Sequence, residues 1–167
     1  SRPHIAWCGR LIAIKQPLLA LACLTAARRQ SGRDLALAMI GSGPLEADLR
    51  RQAAALGLEE RIRFFGQRAN PFPIIKACAF GLVTSRREGF PNVLLEMMVC
   101  GIPRIVTTRC AGALDTLDGV SVVDGFDAEA LAAALLAEGT HSECAVRYAE
   151  ALSRRGPERF VEVLLGS

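Results

Sequence analysis

The feature that most restricts the fold of this chain is an alternation of short, nearly continuous apolar runs with longer amphipathic stretches. HIAWCG (4–9), LALAMIG (35–41), RIRFFG (61–66), FGLVTS (80–85), RIVTT (104–108) and VSVVDG (120–125) read as strands. Apolar runs of that length, bounded by glycine, proline or charge, suit strands covered on both faces. Between them lie helix-length segments. Pro17 fits a first helical turn, where its missing N–H is no loss, and that helix is predicted to reach about Arg29 with Leu18, Leu21, Ala22 and Thr25 on its inner face. Further helices are predicted over 44–56, ended by Gly57, then over 73–78, and over 91–100, stopped by Gly101. A last one is capped by Asp127 and runs to about 137, with alanine-rich helical sequence after it. Strands and helices alternating in this way build an α/β fold: a Rossmann-like, doubly wound parallel sheet of about six strands with helices on both faces. Such a sheet takes its ligands at the carboxyl ends of the strands.

The 167 residues suffice for one compact domain, with no linker or internal repeat to divide them. The chain opens directly on a predicted strand, so residues 1–167 are expected to be one domain of a longer protein. An apolar share of 51% excludes disorder as the main state. No run of 18 apolar residues predicts a membrane span, and no charged-then-apolar leader is visible. A net charge of +3 is too weak to argue for a nucleic-acid partner. None of the six cysteines forms a CxxC pair, and Cys8, Cys23, Cys78 and Cys100 sit inside apolar runs. They read as reduced, buried thiols of a cytoplasmic protein. His4 and His141 lie in no ligand cluster and read as surface residues, and no HExxH, Ser–His–acid set or DxD pair appears, so neither metal nor hydrolase chemistry is expected.

Chemistry concentrates in TSRREGFPNVLLEMMVCGIPRIV (84–106). After a buried strand, Glu88 lies in a loop with Gly89, Phe90, Pro91 and Asn92, and a helix then carries Glu96. Gly89 would let a ligand approach the backbone closely. The start of that helix offers unpaired N–H groups and a partial positive charge, a natural seat for phosphate. Glu96, about one and a half turns in, could accept two hydroxyl hydrogen bonds, as from a ribose. A second strand-to-helix loop, GRLIAIKQP (9–17), brings Arg10 and Lys15 to another helix start. Two cations and two helix N-termini at one sheet edge suit a diphosphate. GSGP (41–44) lacks the full glycine fingerprint of a dinucleotide site and reads as a structural turn near the ligand. Trp7, Phe64, Phe65 and Phe80 read as core, as does at least one of Met97 and Met98. Arg86 and Arg87 either hold the Glu88 loop or are simply solvated.

These pieces together resemble the C-terminal domain of retaining GT-B glycosyltransferases. The resemblance rests on GRL with a lysine five positions after the arginine, on LAMIGSGPLEADLRRQAAALGLEERIRFFGQ, and on EGFPNVLLEMMVCGIPRIVTT. It implies that Arg10 and Lys15 bind the donor diphosphate, that Glu88 contacts the transferred sugar, and that Glu96 holds the ribose. It further implies that Gly89, Phe90, Pro91 and Asn92 present backbone to sugar and phosphate, that Gly66, Gln67 and Arg68 meet the base, and that Gly9 belongs to the donor loop. The chain departs from the family in having Gln16-Pro17 where glycine usually follows the lysine, Met97 after Glu96 where alanine is usual, and Arg109-Cys110-Ala111-Gly112 in place of a glycine-rich turn.

On this resemblance the expected function is nucleotide-sugar binding, with UDP as the nucleotide and no metal or other cofactor. The full-length enzyme would transfer a hexosyl or N-acetylhexosaminyl group to a cell-envelope glycan or lipid-linked acceptor, with front-face chemistry in which the leaving diphosphate helps take the acceptor proton. The acceptor would be held by an N-terminal domain outside this chain, at the inner face of the cytoplasmic membrane. Two other readings stay open here: an epimerase-like enzyme of the same architecture, and an interaction module with a degenerate pocket.

Overall fold

A computed structural model describes residues 2–117 and 119–138. Six strands form one sheet: β1 (His4–Cys8), β2 (Ala36–Ile40), β3 (Ile62–Gly66), β4 (Phe80–Val83), β5 (Ile105–Thr108) and β6 (Val120–Val123). Their spatial order is β3-β2-β1-β4-β5-β6 and every pairing is parallel. The order reverses between β1 and β4, so the crevice where a doubly wound sheet takes ligands lies above that junction. Five helices are described: α1 (Pro17–Ser31), α2 (Glu46–Ala55), α3 (Phe72–Lys76), α4 (Asn92–Val99) and α5 (Ala128–Leu136).

The pleat sends successive strand residues to opposite faces, and two cores result. Ile5, Trp7, Leu37, Met39, Leu82 and Val106 pack beneath α1, α2 and α5. Ala6, Ala38, Ile40, Val83 and Ile105 pack beneath α3 and α4. On the second face α4 settles close over β4 and β5. Met97 of α4 is fully buried, and its sulfur lies 2.6 Å from where a Cβ on Gly81 would stand. Alanine at position 81 would therefore displace the helix side chain.

Element types follow the expectation, with ends shifted by one or two residues. The alanine-rich stretch after α5, with His141 and Cys144, lies outside the described residues. The inner face of α1 differs. Ala22 is exposed, while Pro17, Ala20, Leu21, Cys23, Leu24, Ala26 and Ala27 are buried. The helix packs on the sheet and also sideways against α5, so two stripes are covered instead of one. Phe64, Phe65 and Phe80 are half-buried rather than core. Phe64 and Phe65 lie on the edge strand β3, and arginines cover all three rings: Arg50 over Phe64 at 4.2 Å, Arg63 over Phe65 at 5.1 Å and Arg33 over Phe80 at 6.0 Å. His4, too, is half-buried, as are Cys8 and Cys100, whereas Cys23, Cys78 and Cys110 are buried free thiols. Both Met97 and Met98 are core.

Candidate functional site

Two cavities open along the carboxyl edge of the sheet, and Cys8, Gly9 and Arg10 line both. The first, of about 340 Å³, sits over the β1–β4 junction beneath α4. Arg10, Lys15, Glu88, Phe90, Pro91, Asn92 and Glu96 border it, with Trp7, Thr84 and Ser85 at its floor. The second, of about 330 Å³, lies toward β3 and is bordered by Gly41, Ser42, Gln67, Arg68 and Pro71.

Lys15 ends a single 3-10 turn, Ala13–Lys15, which buries none of its own residues. The next residue, Gln16, has a left-handed backbone (φ +48°) and leads into α1 with Pro17 in its first turn. That backbone accounts for the glycine usual at this position of the resembled family. Segment 84–86 at the end of β4 grips this turn. The Arg86 amide donates to the Ile14 carbonyl at 2.8 Å, the Thr84 hydroxyl to the Lys15 carbonyl at 2.7 Å, and the Gln16 side-chain amide to the Thr84 carbonyl at 2.9 Å.

The Glu88 loop is fastened on its other side. Its amide donates to the Cys110 carbonyl at 2.7 Å, and the Thr108 hydroxyl donates to the Ser85 carbonyl at 2.6 Å. Ser85 in turn donates its hydroxyl to Glu88 Oε1 at 2.7 Å. The same oxygen pairs with Lys15 Nζ, and only 27% of the lysine side chain and 16% of the glutamate side chain are exposed. Sequence reasoning gave these two residues separate ligand groups, the diphosphate and the sugar. In the structure they hold each other. The departure at 109–112 also acquires a structural role. Arg109 pairs with Asp115 and Asp124, bracing the loop whose Cys110 carbonyl supports Glu88.

Glu96 rises from α4 into the same cavity. Burial pushes its carboxyl above the usual carboxylate range. The neighbouring Cys8 thiol is pushed up to about 11 by burial and by the Glu96 charge, which makes it a poor nucleophile. At the start of α4, Pro91 has no N–H, and Asn92 and Val93, whose amides belong to the unpaired first turn, line the cavity. Gly89 is exposed and outside the cavity wall, with open space where its Cβ would be.

Glycines bring together the loops beside the second cavity, which Gly9 and Gly41 line. The Gly9 amide donates to the Ile40 carbonyl at 2.9 Å and the Leu11 amide to the Ser42 carbonyl at 3.0 Å, so the loops after β1 and β2 run side by side. A Cβ on Gly41 (φ +137°) would stand 1.9 Å from the Gly9 carbonyl oxygen, and one on Gly43 2.5 Å from the Leu11 carbonyl oxygen. The β2–β3 register slips between Met39 and Ile40, which sets Ile40 beside Gly66. Gly66 (φ +67°) accepts the Gly41 amide at 2.8 Å and stands outside the cavity wall, while the next two residues, Gln67 and Arg68, border it.

Trp7, Cys8, Thr84, Ser85 and Ser42 border the two cavities without having been singled out as site residues. The available signal was the pair Thr84-Ser85, hydroxyls ending an otherwise apolar run. Ser42 was hidden in a turn read as structural.

The family model for group 1 glycosyl transferases matches residues 2–137. The GDP-mannose-dependent alpha-(1-6)-phosphatidylinositol monomannoside mannosyltransferase of Mycolicibacterium smegmatis is 36% identical over 147 residues, 81% of this chain and 38% of that protein. The chain thus spans well under half the length of this curated relative. Two solved structures share the fold. The Anabaena Alr3699/HepE protein in complex with UDP superposes with a TM-score of 0.75 at 22% identity, over 99% of this chain and 49% of that one. The catalytic domain of the Helicobacter pylori cholesterol-alpha-glucosyltransferase superposes at 0.70 with 22% identity, over 92% of this chain and 99% of that one.

Proposed function

The chain belongs to the group 1 glycosyltransferase family, and from that premise we propose that it is the donor-binding domain of a retaining glycosyltransferase that uses a nucleotide-diphospho-sugar. The observation that carries this reading is the gathering of Arg10, Lys15, Glu88 and Glu96 around one cavity at the strand-order reversal, continuous through Cys8–Arg10 with a second cavity. The first has the charge for a diphosphate and a sugar. The second has the backbone and loop surface for a base.

In this reading the base lies over Gly41, Gln67 and Arg68, and the ribose is held by Glu96. The diphosphate sits between Arg10, Lys15 and the Asn92 and Val93 amides, and the sugar reaches Glu88. Lys15 exchanges its Glu88 partner for the diphosphate when donor enters. As the glycosidic bond breaks, charge grows on the leaving diphosphate, and the cations and helix start stabilise it more than they stabilise the bound donor. UDP is the nucleotide we assign, in keeping with the UDP-bound Anabaena structure of the same fold. The relationship to a GDP-mannose-dependent enzyme favours GDP as the second reading. The acceptor we assign is lipid-linked or a cell-envelope glycan, bound by a part of the protein outside this chain at the inner membrane face. The phosphatidylinositol mannoside and cholesterol enzymes, both named for lipid acceptors, support that class.

Calorimetric titration of the chain with UDP, GDP and NAD, with and without EDTA, tests the reading. UDP is expected to bind with EDTA present and NAD is not. Loss of binding on EDTA addition overturns the metal-free site, a preference for GDP replaces UDP, and no nucleotide binding removes the donor-site reading. In the full-length enzyme, Arg10→Ala and Lys15→Ala are expected to lower kcat by about 100-fold or more. An unchanged kcat with a raised KM would leave these residues as donor holders only.

A further inference from the structure

Thr84 is fully buried at the carboxyl end of β4, and its hydroxyl is engaged from several sides. The oxygen accepts the indole N–H of Trp7 at 2.8 Å, and the proton faces the Lys15 carbonyl at 2.7 Å with the Gln16 carbonyl at 2.9 Å. The Gln16 carbonyl already accepts the Leu19 amide at 3.0 Å, so the Lys15 carbonyl is the better acceptor. Gln16 closes the ring by donating its side-chain amide to the Thr84 carbonyl. The turn so held has two weaknesses of its own. It buries none of its own residues, and it ends in a left-handed glutamine, a conformation disfavoured for a residue with a Cβ. A backbone of that kind persists where its surroundings impose it.

We propose that Thr84, clamped by Gln16, is the positioning residue for Lys15: it fixes the lysine backbone so that the flexible side chain delivers its ammonium to the cavity. The turn cannot place that ammonium by packing, because a lysine has four rotatable carbons and the turn has no core. Anchoring the carbonyl of the same residue through a buried hydroxyl leaves only the side chain to adjust. The Trp7 indole orients the hydroxyl, since an oxygen that accepts from Trp7 has its own proton free for Lys15. Gln16 supplies the hold that a glycine at its position would lack. The role assigned to Thr84 toward a ligand rests on reading Lys15 as a diphosphate contact; its role toward Lys15 itself does not.

The test uses Thr84→Val, Thr84→Ser and Gln16→Gly, each alone and in a Lys15→Met background, titrated with UDP and with uridine. Thr84→Val is expected to weaken UDP about tenfold, the worth of one hydrogen bond, to leave uridine unchanged, and to add nothing once Lys15 is methionine. Thr84→Ser restores UDP affinity. Gln16→Gly, which relieves the left-handed strain, is expected to keep or raise the melting temperature while still weakening UDP. A merely structural threonine would weaken UDP and uridine alike, or add its full effect on top of Lys15→Met, and either result overturns the proposal. So does a Gln16→Gly protein that binds UDP as the wild type does.

Lysine acylation gives a readout independent of any nucleotide, because Lys15 and Lys76 are the only lysines in the chain. Lys15 is expected to react more slowly than the exposed Lys76 in the wild type and to lose that protection in Thr84→Val. Unchanged protection overturns the proposal even if UDP binds. Absent UDP binding with protection lost in Thr84→Val removes the donor-site reading and leaves the positioning of Lys15 standing.

Discussion

The two cavities that meet at Cys8–Arg10 are built by opposite means. The one beneath α4 is defined by what its side chains carry: two carboxylates and two cations, with Lys15 and Glu88 held by hydroxyls and carbonyls on segments 84–86 and 108–110. The one toward β3 is defined by what its backbone omits, since glycines at 41 and 43 let two loops run closer than any Cβ would permit. The difference teaches where each is vulnerable. The first should tolerate small changes of shape and fail on changes of charge, and the second should do the reverse.

The largest expected effect is steric. Gly41→Ala places a Cβ against a backbone oxygen at 1.9 Å on a positive-φ residue, and is expected to cost about 3–5 kcal/mol, read as a lower urea midpoint. A loss below about 1 kcal/mol, the scale of an ordinary surface change, would break the contrast. Next comes charge. Lys15→Met is expected to weaken UDP about 10- to 100-fold by removing a charge-assisted contact, and an unchanged affinity would show that shape governs both cavities.

Glu96→Gln sharpens the comparison through pH. The folded protein holds this carboxyl above its ordinary 4.5 because burial disfavours the charge. Ionised Glu96 therefore destabilises the fold at neutral pH, and that cost fades as pH falls through the raised value toward the unfolded one. The glutamine variant should melt higher than the wild type at neutral pH, with the gap closing in acid, and should bind UDP up to about tenfold more weakly. A gap independent of pH would remove burial as the cause. The smallest effect belongs to Arg68→Ala, an exposed side chain beside the backbone-built cavity. It is expected to change UDP affinity by less than about threefold, and a tenfold loss would give that cavity a charge dependence after all.

The fold was legible because its signals are local. Apolar runs, Pro17, Gly57, Gly101 and Asp127 each act within a few residues, and the parallel order follows from the alternation. The charged residues of the first cavity were legible for a related reason: Arg10, Lys15 and Glu88 stand in loops that follow strand ends, Glu96 is on the helix after one of those loops, and strand ends converge. The pairing of Lys15 with Glu88 was not, because it joins residues 73 positions apart through a turn that has no apolar period to announce it. The role of Gly41 was not legible for a similar reason: it matters through its approach to Gly9, a contact between loops that no single stretch of sequence displays. Phe64 and Phe65 look like core until β3 is known to be an edge.

Glu88 and Glu96 lie eight positions apart, yet they are carried by different mechanical bodies. Glu88 is moored to the sheet through the Cys110 carbonyl and Ser85, whereas Glu96 rides on α4, which is seated by the buried Leu94, Met97 and Met98. The two carboxylates therefore differ in what sets their position: Glu88 takes its register from hydrogen bonds to residues at the ends of β4 and β5, and Glu96 takes its register from the packing of α4 over the sheet.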